Sequence, residues 1–218
     1  MNAMRSTAGE RAYDSSRRRA QADRNRQAIL DVAQAKFAGS GYAATTMASI
    51  AGAAGFSVDT VHKAFGGKAG LVRALYERGL GGSGPVPAPE RSDDMQARER
   101  DPRAVVRRWG ELSAEVAPLV APVLLLIRDA AAADPEMAAL LRRSEEERRT
   151  RMRHNARTLA DAGHLRAGVT LEEATDVLWT YSSPELFELL VLRCGWDAAR
   201  YGRFIAEGLA AAVLPPSS

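Results

Sequence analysis

Residues 45–68 read TTMASIAGAAGFSVDTVHKAFGGK, two short apolar-periodic segments that meet at Gly55. A threonine pair opens the first segment, and a threonine hydroxyl can cap the free N–H groups at a helix start. Gly55 permits the left-handed backbone that ends this helix, and Ser57 can cap a second one over about Val58 to Ala64. Helices of roughly eight residues are marginal alone and gain stability from packing. The stretch therefore predicts a helix, a turn and a helix.

The spacing within this stretch adds specificity. Ala51 is followed by Gly55 four residues later and by Val61 six residues after that. A helix-turn-helix needs a small residue where its helices cross, a glycine in the turn and an apolar anchor on the second helix. The sequence therefore predicts a DNA-binding element whose second helix enters the major groove.

The charge distribution agrees with that prediction. Residues 1–80 contain 12 Lys and Arg against 6 Asp and Glu, a net charge of +6, whereas residues 81–218 contain 18 against 21, a net charge of −3. A positive field over one segment favours phosphate binding, because each neutralised phosphate releases condensed counterions. A solvated basic surface would give the same count, so charge supports the motif without replacing it.

Composition excludes several other classes. The 218 residues are 46% hydrophobic and 26% charged, as in ordinary soluble proteins. No signal peptide is evident, and the apolar run at 116–127 is shorter than a membrane span, so we expect a cytoplasmic protein without membrane contact. Cys194 is the single cysteine and allows no internal disulfide or multi-cysteine metal site. No nucleophile elbow, phosphate loop or metal-ligand spacing is present, so we expect no enzyme, catalytic residue, metal or cofactor.

The remaining pattern is helical throughout and predicts an all-α fold. The first helix should run from about Ala22 to Ala38, and the helix beginning near Lys68 should end at Gly79. Asp101-Pro102 opens a segment to about Val116, and the run at 116–127 is expected to form a buried helix that begins near one of its prolines. The expected organisation is a flexible basic arm (1–22), a helix-turn-helix DNA-binding domain (23–80), a Gly/Pro/Ser-rich linker (81–98) and a helical ligand-binding and dimerisation domain (99–218).

Residues from about Arg24 to Leu80 resemble the TetR-type transcriptional regulators. The resemblance rests on AILDVAQAKFAGSGYAATTMASIAGAAGFSVDTVHKAFGGKAGLVRAL, which contains the family's first helix, its GY and TT pairs, IA..AG.S..T, the aromatic Phe65, the lysine and the leucine in order. His62 replaces the usual tyrosine, and Ala64 and Gly67 also depart from the family pattern. The resemblance implies a three-helix DNA-binding domain joined through a further helix to a helical C-terminal domain that dimerises and often holds an inducer.

The candidate DNA contacts follow from the resemblance and from side-chain chemistry. Hydroxyl, N–H and ammonium groups at helix starts suit phosphates, whereas the exposed side of the second short helix can read base edges. The phosphate candidates are Thr45, Thr46 and Lys68, and the candidates on the recognition helix are Ser57, Val58, Asp59, Thr60, His62 and Lys63.

The leading hypothesis is a homodimeric repressor that binds a near-palindromic double-stranded operator and is released by a small apolar or amphipathic effector. Trp109, Leu126 and Trp179 are the candidate ligand-binding residues, although helical spacing also fits an ordinary core role for each of them. The last two helical segments, about 172–193 and 197–213, should form a four-helix dimer interface. The alternative is a DNA-bound regulator without a small ligand, controlled by a protein partner or by its abundance.

Overall fold

The computed structural model describes residues 6–216, with side chains from residue 17 onward, and this part of the chain is helical without a strand. The chain divides into two compact units, Met1–Ala74 and Leu75–Ser218. The helices are α1 (Ser6–Ala44), α2 (Met47–Ala54), α3 (Val58–Phe65), α4 (Lys68–Gly81), α5 (Ala88–Arg98), α6 (Pro102–Ala131), α7 (Pro135–Asp161), α8 (Leu171–Tyr181), α9 (Pro184–Phe187) with a π-helical continuation (Glu188–Arg193), and α10 (Ala198–Val213). The predicted all-α fold is confirmed.

The first unit buries one apolar face from each of its short helices. Ile50 and Ala51 of α2 and Val61 of α3 are at most 1% exposed. The α1 and α4 side chains Ile29, Leu30, Ala33, Phe37, Leu71 and Val72 are also buried. Helices of eight residues depend on such burial, because their own hydrogen bonds barely offset the cost of ordering the chain.

The beginning of α1 corrects the sequence prediction. The helix starts at Ser6 rather than near Ala22, so residues 6–22 are helical where a flexible arm was expected, and residues 1–5 lie outside the described part. Neither glycine nor proline interrupts the chain between Glu10 and Phe37, and its many Ala, Arg and Gln residues favour the helix. At the other end, Gly41 breaks the helical geometry with φ 71°, as expected of a stop glycine.

The expected linker at 81–98 is largely helical, which is a second correction. The prolines at 87 and 89 obscured this helix, α5, although proline is tolerated in a first helical turn. A third correction concerns α6, which continues through Pro118 and Pro122 instead of restarting there. Both prolines lie on the exposed side, where water can satisfy the carbonyl groups that lose their helical partners.

The second unit is built around α6, which packs against α5, α7, α9 and α10. Among the described helices, α6 alone is long and apolar enough to cross a membrane. Core helices of globular proteins can have the same length and composition. Its closest neighbour is α10, where a Cβ on Gly110 would lie 2.3 Å from the Gly202 carbonyl oxygen. Only glycine permits this backbone approach. The crossing places Trp109 and Tyr201, which flank the two glycines, in the same buried cluster.

An ion pair joins α5 to α6, and a hydrogen bond to the same carboxylate joins the turn before α5 to α6. Arg91 Nη1 donates to Glu115 Oε2 at 2.9 Å, and the Ser83 backbone N–H donates to Glu115 Oε1 at 2.8 Å. The hydrogen bond from Arg91, followed by that from Ser83, lowers the pKa of Glu115 from its ordinary 4.5 to about 2. The Glu115 carboxylate therefore holds this glycine-rich turn against α6 through hydrogen bonds.

We expect Glu115→Gln to loosen the turn and to lower the stability of the second unit at neutral pH. Because the folded-state pKa is depressed, the contribution of Glu115 is present above pH 4.5 and is lost as the pH falls towards about 2. Urea unfolding at pH 7 and at pH 3 measures both effects, with Glu111→Gln, an exposed residue of the same helix, as the control. A stability difference between wild type and Glu115→Gln that does not shrink at low pH would contradict this account.

Candidate functional site

The turn between α2 and α3 has the geometry that the sequence predicted. Gly55 adopts φ 75° and ψ 26°, and its N–H donates back to the α2 carbonyls. The Phe56 N–H also donates to the Ala51 carbonyl at 2.9 Å, which fixes the exit of the turn. Ser57 caps α3 by accepting a hydrogen bond from the Thr60 N–H at 3.1 Å. The small residue, the glycine and the cap therefore act as one local unit.

The outward side of α3 contains the predicted base-reading residues. Val61, the anchor of the helix, is fully buried. The six candidates on α3 and its cap are all exposed: Ser57, Val58, Asp59, Thr60, His62 and Lys63. Val58 is 40% exposed although it is apolar, which suits contact with a thymine methyl group. The Thr60 hydroxyl lies 2.8 Å from the Ser57 hydroxyl, so the two form one polar point on this surface.

The two threonines before α2 have different environments. Thr46 is exposed and forms a reciprocal capping box with Ser49, in which each side chain accepts from the other backbone N–H. Thr45 is 2% exposed, and its hydroxyl donates to the Gly41 carbonyl at 2.7 Å. The structure therefore contradicts a direct phosphate contact by the Thr45 side chain, because that hydroxyl already satisfies the carbonyl freed at the Gly41 break.

Lys68 lies at the start of α4 as predicted, and it is also tied to the turn before α2. Its ammonium group donates to the carbonyls of Tyr42 at 2.8 Å and Thr45 at 3.2 Å. The same group lies 4.0 Å from the centroid of the Tyr42 ring. An ammonium group has three donors, so one N–H is available to a phosphate while the other two hold the turn.

Sequence reasoning missed Arg26. Its guanidinium donates to the Ala64 carbonyl at 3.0 Å and lies 4.3 Å from the centroid of the Phe65 ring. Both contacts are made to the last turn of α3, where a cation is favourable near free carbonyl groups. The two partners are 38 residues apart along the chain. Only Phe65 was visible as a motif position, and nothing in the sequence pointed to its cationic partner.

The second unit contains a partly open cavity of about 300 Å³, at the small end of the usual range for small-molecule sites. Most of its lining side chains are apolar or aromatic, and they come mainly from α5, α6, α7 and α10. The lining is formed by Tyr76, Leu80, Ala88, Pro89, Ser92, Trp109, Leu112, Ser113, Val116, Ala117, Val120, Ala121, Leu124, Glu147, Arg148, Arg151, Met152, Asn155, Leu178, Tyr181, Ser182, Ser183, Pro184, Tyr201, Ile205 and Leu209. Burial raises the pKa of Tyr201 to about 12, so its hydroxyl is protonated at neutral pH.

The cavity includes one of the three residues predicted to bind a ligand. Trp109 lies in its wall, whereas Leu126 and Trp179 lie outside its lining. Trp179 is instead covered by cations, with the guanidinium carbons of Arg148 and Arg149 at 4.7 and 5.6 Å from its ring centroid. The sequence showed that these residues were apolar or aromatic but could not show which face of each helix points inward.

We expect Lys68→Met to weaken DNA binding by a similar factor for all sequences and to reduce the salt dependence of binding by about one phosphate contact. The same change removes two hydrogen bonds from the turn before α2, so unfolding of the first unit should also occur at lower urea concentration. Fluorescence anisotropy at several salt concentrations gives the slope, with Lys36→Met on α1 as the control. A destabilised Lys68→Met protein with an unchanged slope would assign the lysine a structural role alone.

Comparisons with known proteins agree with this geometry. Residues 29–75 match the family model of bacterial regulatory proteins, tetR family. No functionally curated protein matches the chain. Similar solved structures include SmeT of Stenotrophomonas maltophilia in complex with triclosan (24% identity, TM-score 0.68, covering 88% of this chain and 93% of that one).

Two further structures have the same fold. NalD of Pseudomonas aeruginosa, the secondary repressor of a multidrug efflux pump, is 16% identical with a TM-score of 0.70, covering 91% of this chain and all of that one. A putative regulator of Saccharomonospora viridis in complex with choline is 19% identical with a TM-score of 0.65, covering 89% of this chain and all of that one. Residues 29–75 thus match the DNA-binding region of the tetR family, and these solved structures share the fold of the chain.

Proposed function

We propose that this protein is a homodimeric repressor that binds a near-palindromic operator and releases it when a small apolar or amphipathic molecule occupies the cavity of the second unit. The observation that carries the DNA-binding part is α3, with its one apolar anchor buried and its six candidate contacts exposed. A helix presented in this way can enter a major groove without unfolding its own support.

The cavity supports the effector part of the proposal. It has mainly apolar walls and a few polar groups, the usual composition of a small-molecule site. The continuous helix α4 carries Lys68 at its start, and Tyr76 and Leu80 near its end line the cavity. A ligand that shifts the end of α4 can therefore alter the DNA-binding unit through one helix. SmeT and the Saccharomonospora viridis regulator have triclosan and choline, respectively, in their structures, which supports ligand control by analogy.

Exposed leucines support the dimer. Leu189 and Leu192, in the π-helical continuation of α9, are 48% and 56% exposed. Both lie within residues 172–193, one of the two segments that we assign to the dimer interface. Adjacent exposed leucines often mark a protein contact, and a two-fold arrangement would bury both from each subunit. A two-fold dimer in turn requires a near-palindromic site.

The operator itself provides the first test. We expect selection from a random DNA pool to recover a near-palindromic site that binds two protomers, with half-sites about one helical turn apart. Thr60→Ala and His62→Ala should each reduce affinity for that site by about 1–3 kcal/mol with little effect on random DNA, because base contacts confer specificity. Gly52→Ala, an exposed change on α2 with nothing near the added methyl group, is the control. Equal losses on both DNAs would show that the two side chains only position the protein.

Effector control requires a separate measurement. We expect a melting screen of small apolar and amphipathic compounds to yield ligands that raise the melting temperature, since a ligand at 100 times its Kd adds roughly 2.7 kcal/mol. Each of these ligands should also weaken operator binding, because only a ligand that prefers the DNA-incompetent state can shift the equilibrium. Ligands that stabilise the protein without releasing DNA would favour the alternative, a regulator controlled by a protein partner or by its abundance.

A further inference from the structure

Arg148 places a positive charge in the wall of the cavity without a carboxylate partner. Its guanidinium donates to the Trp179 backbone carbonyl and, at 3.0 Å, to the Ser182 hydroxyl. Both acceptors are neutral, and the side chain makes no ion pair within 4 Å among the described residues. Glu145 and Glu185 act on it only through space. Glu147 also lines the cavity, but it is exposed and no carboxylate contacts the Arg148 guanidinium. The cavity therefore contains a partly desolvated cation whose charge is not neutralised by contact.

The second arginine in the lining, Arg151, has the carboxylate partner that Arg148 lacks. Arg151 also lines the cavity, but it forms a bidentate pair with Asp93, with its Nη2 at 2.7 Å from Asp93 Oδ1 and its Nη1 at 3.0 Å from Oδ2. Its Nη2 also donates to the Pro89 carbonyl. Burial without a counter-charge lowers the pKa of Arg148, the sign of an unfavourable environment for the charged form. An anion would remove that penalty, whereas a cation would add to it.

A second residue of the cavity wall, Trp109, has a donor with no acceptor at all. Trp109 is 6% exposed, and its indole Nε1 is buried without a hydrogen-bond partner in the described structure. An indole N–H can only donate, as can a guanidinium. Buried donors are nearly always satisfied, so this unpaired N–H adds to the shortage of acceptors near the cavity; its nitrogen has almost no accessible surface, and the ligand contact is therefore assigned to Arg148. Asn155 is a further polar residue of the lining, and its Oδ1 accepts from Gln96 at 3.3 Å.

We propose that the effector is an amphipathic carboxylate, with its anionic group on Arg148 and its apolar part among the aliphatic and aromatic residues of α6 and α10. This inference rests on the proposed ligand control and specifies the chemical class of the ligand. Arg148 can form charge-assisted hydrogen bonds with a carboxylate through donors that its two neutral acceptors leave free. The volume of about 300 Å³ limits the ligand to a small acid.

Three probes with the same chain length separate charge from hydrophobicity: decanoate, 1-decanol and decyltrimethylammonium. We expect calorimetric titration of the full-length protein to show decanoate binding at least about tenfold more tightly than the alcohol, and the cation binding most weakly. Arg148→Gln should remove the preference for decanoate while leaving the affinity for the alcohol nearly unchanged. Arg148→Lys should retain part of the preference, because it keeps the charge but not the planar fork.

Arg149→Gln is the matched control, because it removes the same charge from the next position on α7. Arg149 pairs with Asp176 at 2.7 Å and lies outside the cavity lining. The Arg149→Gln variant should therefore retain the full preference for decanoate. Cooperative thermal unfolding of each variant shows that its fold is intact.

Several results would overturn the inference. The wild-type protein would bind the alcohol or the cation as tightly as decanoate or more tightly, or would not bind decanoate. Arg148→Gln would keep the preference for decanoate unchanged, or Arg149→Gln would lose it to the same extent as Arg148→Gln. Operator binding measured with and without decanoate is a separate readout. If decanoate binds through Arg148 but does not release the operator, the ligand class stands and the proposed effector control fails.

Discussion

The burial of Val61 is the contact on which the exposed surface of α3 depends. Eight residues cannot maintain a helix in water by their own hydrogen bonds, so α3 exists because this fully buried side chain anchors it to the first unit. One anchor on a two-turn helix leaves the other faces to solvent. Because only one position of α3 is needed for packing, the residues around it are available for recognition. For the same reason the helix needs additional support at its ends.

That support is supplied by hydrogen bonds and cations. Ser57 caps the start of α3, and Arg26 binds a carbonyl and a ring at its end. Lys68 similarly holds the turn before α2 through two carbonyls. Basic residues in the first unit thus serve two purposes, since they raise the positive potential and also satisfy carbonyl groups at helix ends. Net charge alone does not distinguish these roles.

The second unit combines a close helix crossing with an open interior. Gly110 and Gly202 bring the α6 and α10 backbones into contact, and the large residues beside them, Trp109 and Tyr201, lie in the cavity wall. The close packing of α6 against α10 holds the cavity walls in place, and the cavity beside this crossing retains room for a ligand. Within that wall Arg148 is a cation without a contacting carboxylate, and this feature is more informative about the ligand than the volume is.

The sequence by itself determined the all-α fold, the helix-turn-helix and the exposed side of α3, because glycine conformation, capping and helical periodicity are local properties. It also located the caps at Asp134, Thr170 and Asp197 and the interruption near Pro184. Where local signals conflicted with longer-range packing it failed, as with the prolines of α5 and α6. Only the tertiary structure decided that Thr45 is buried, that Trp109 lines the cavity while Leu126 and Trp179 do not, and that Arg148 lacks a carboxylate. Each of these facts depends on which distant groups come together, and no spacing along the chain encodes that.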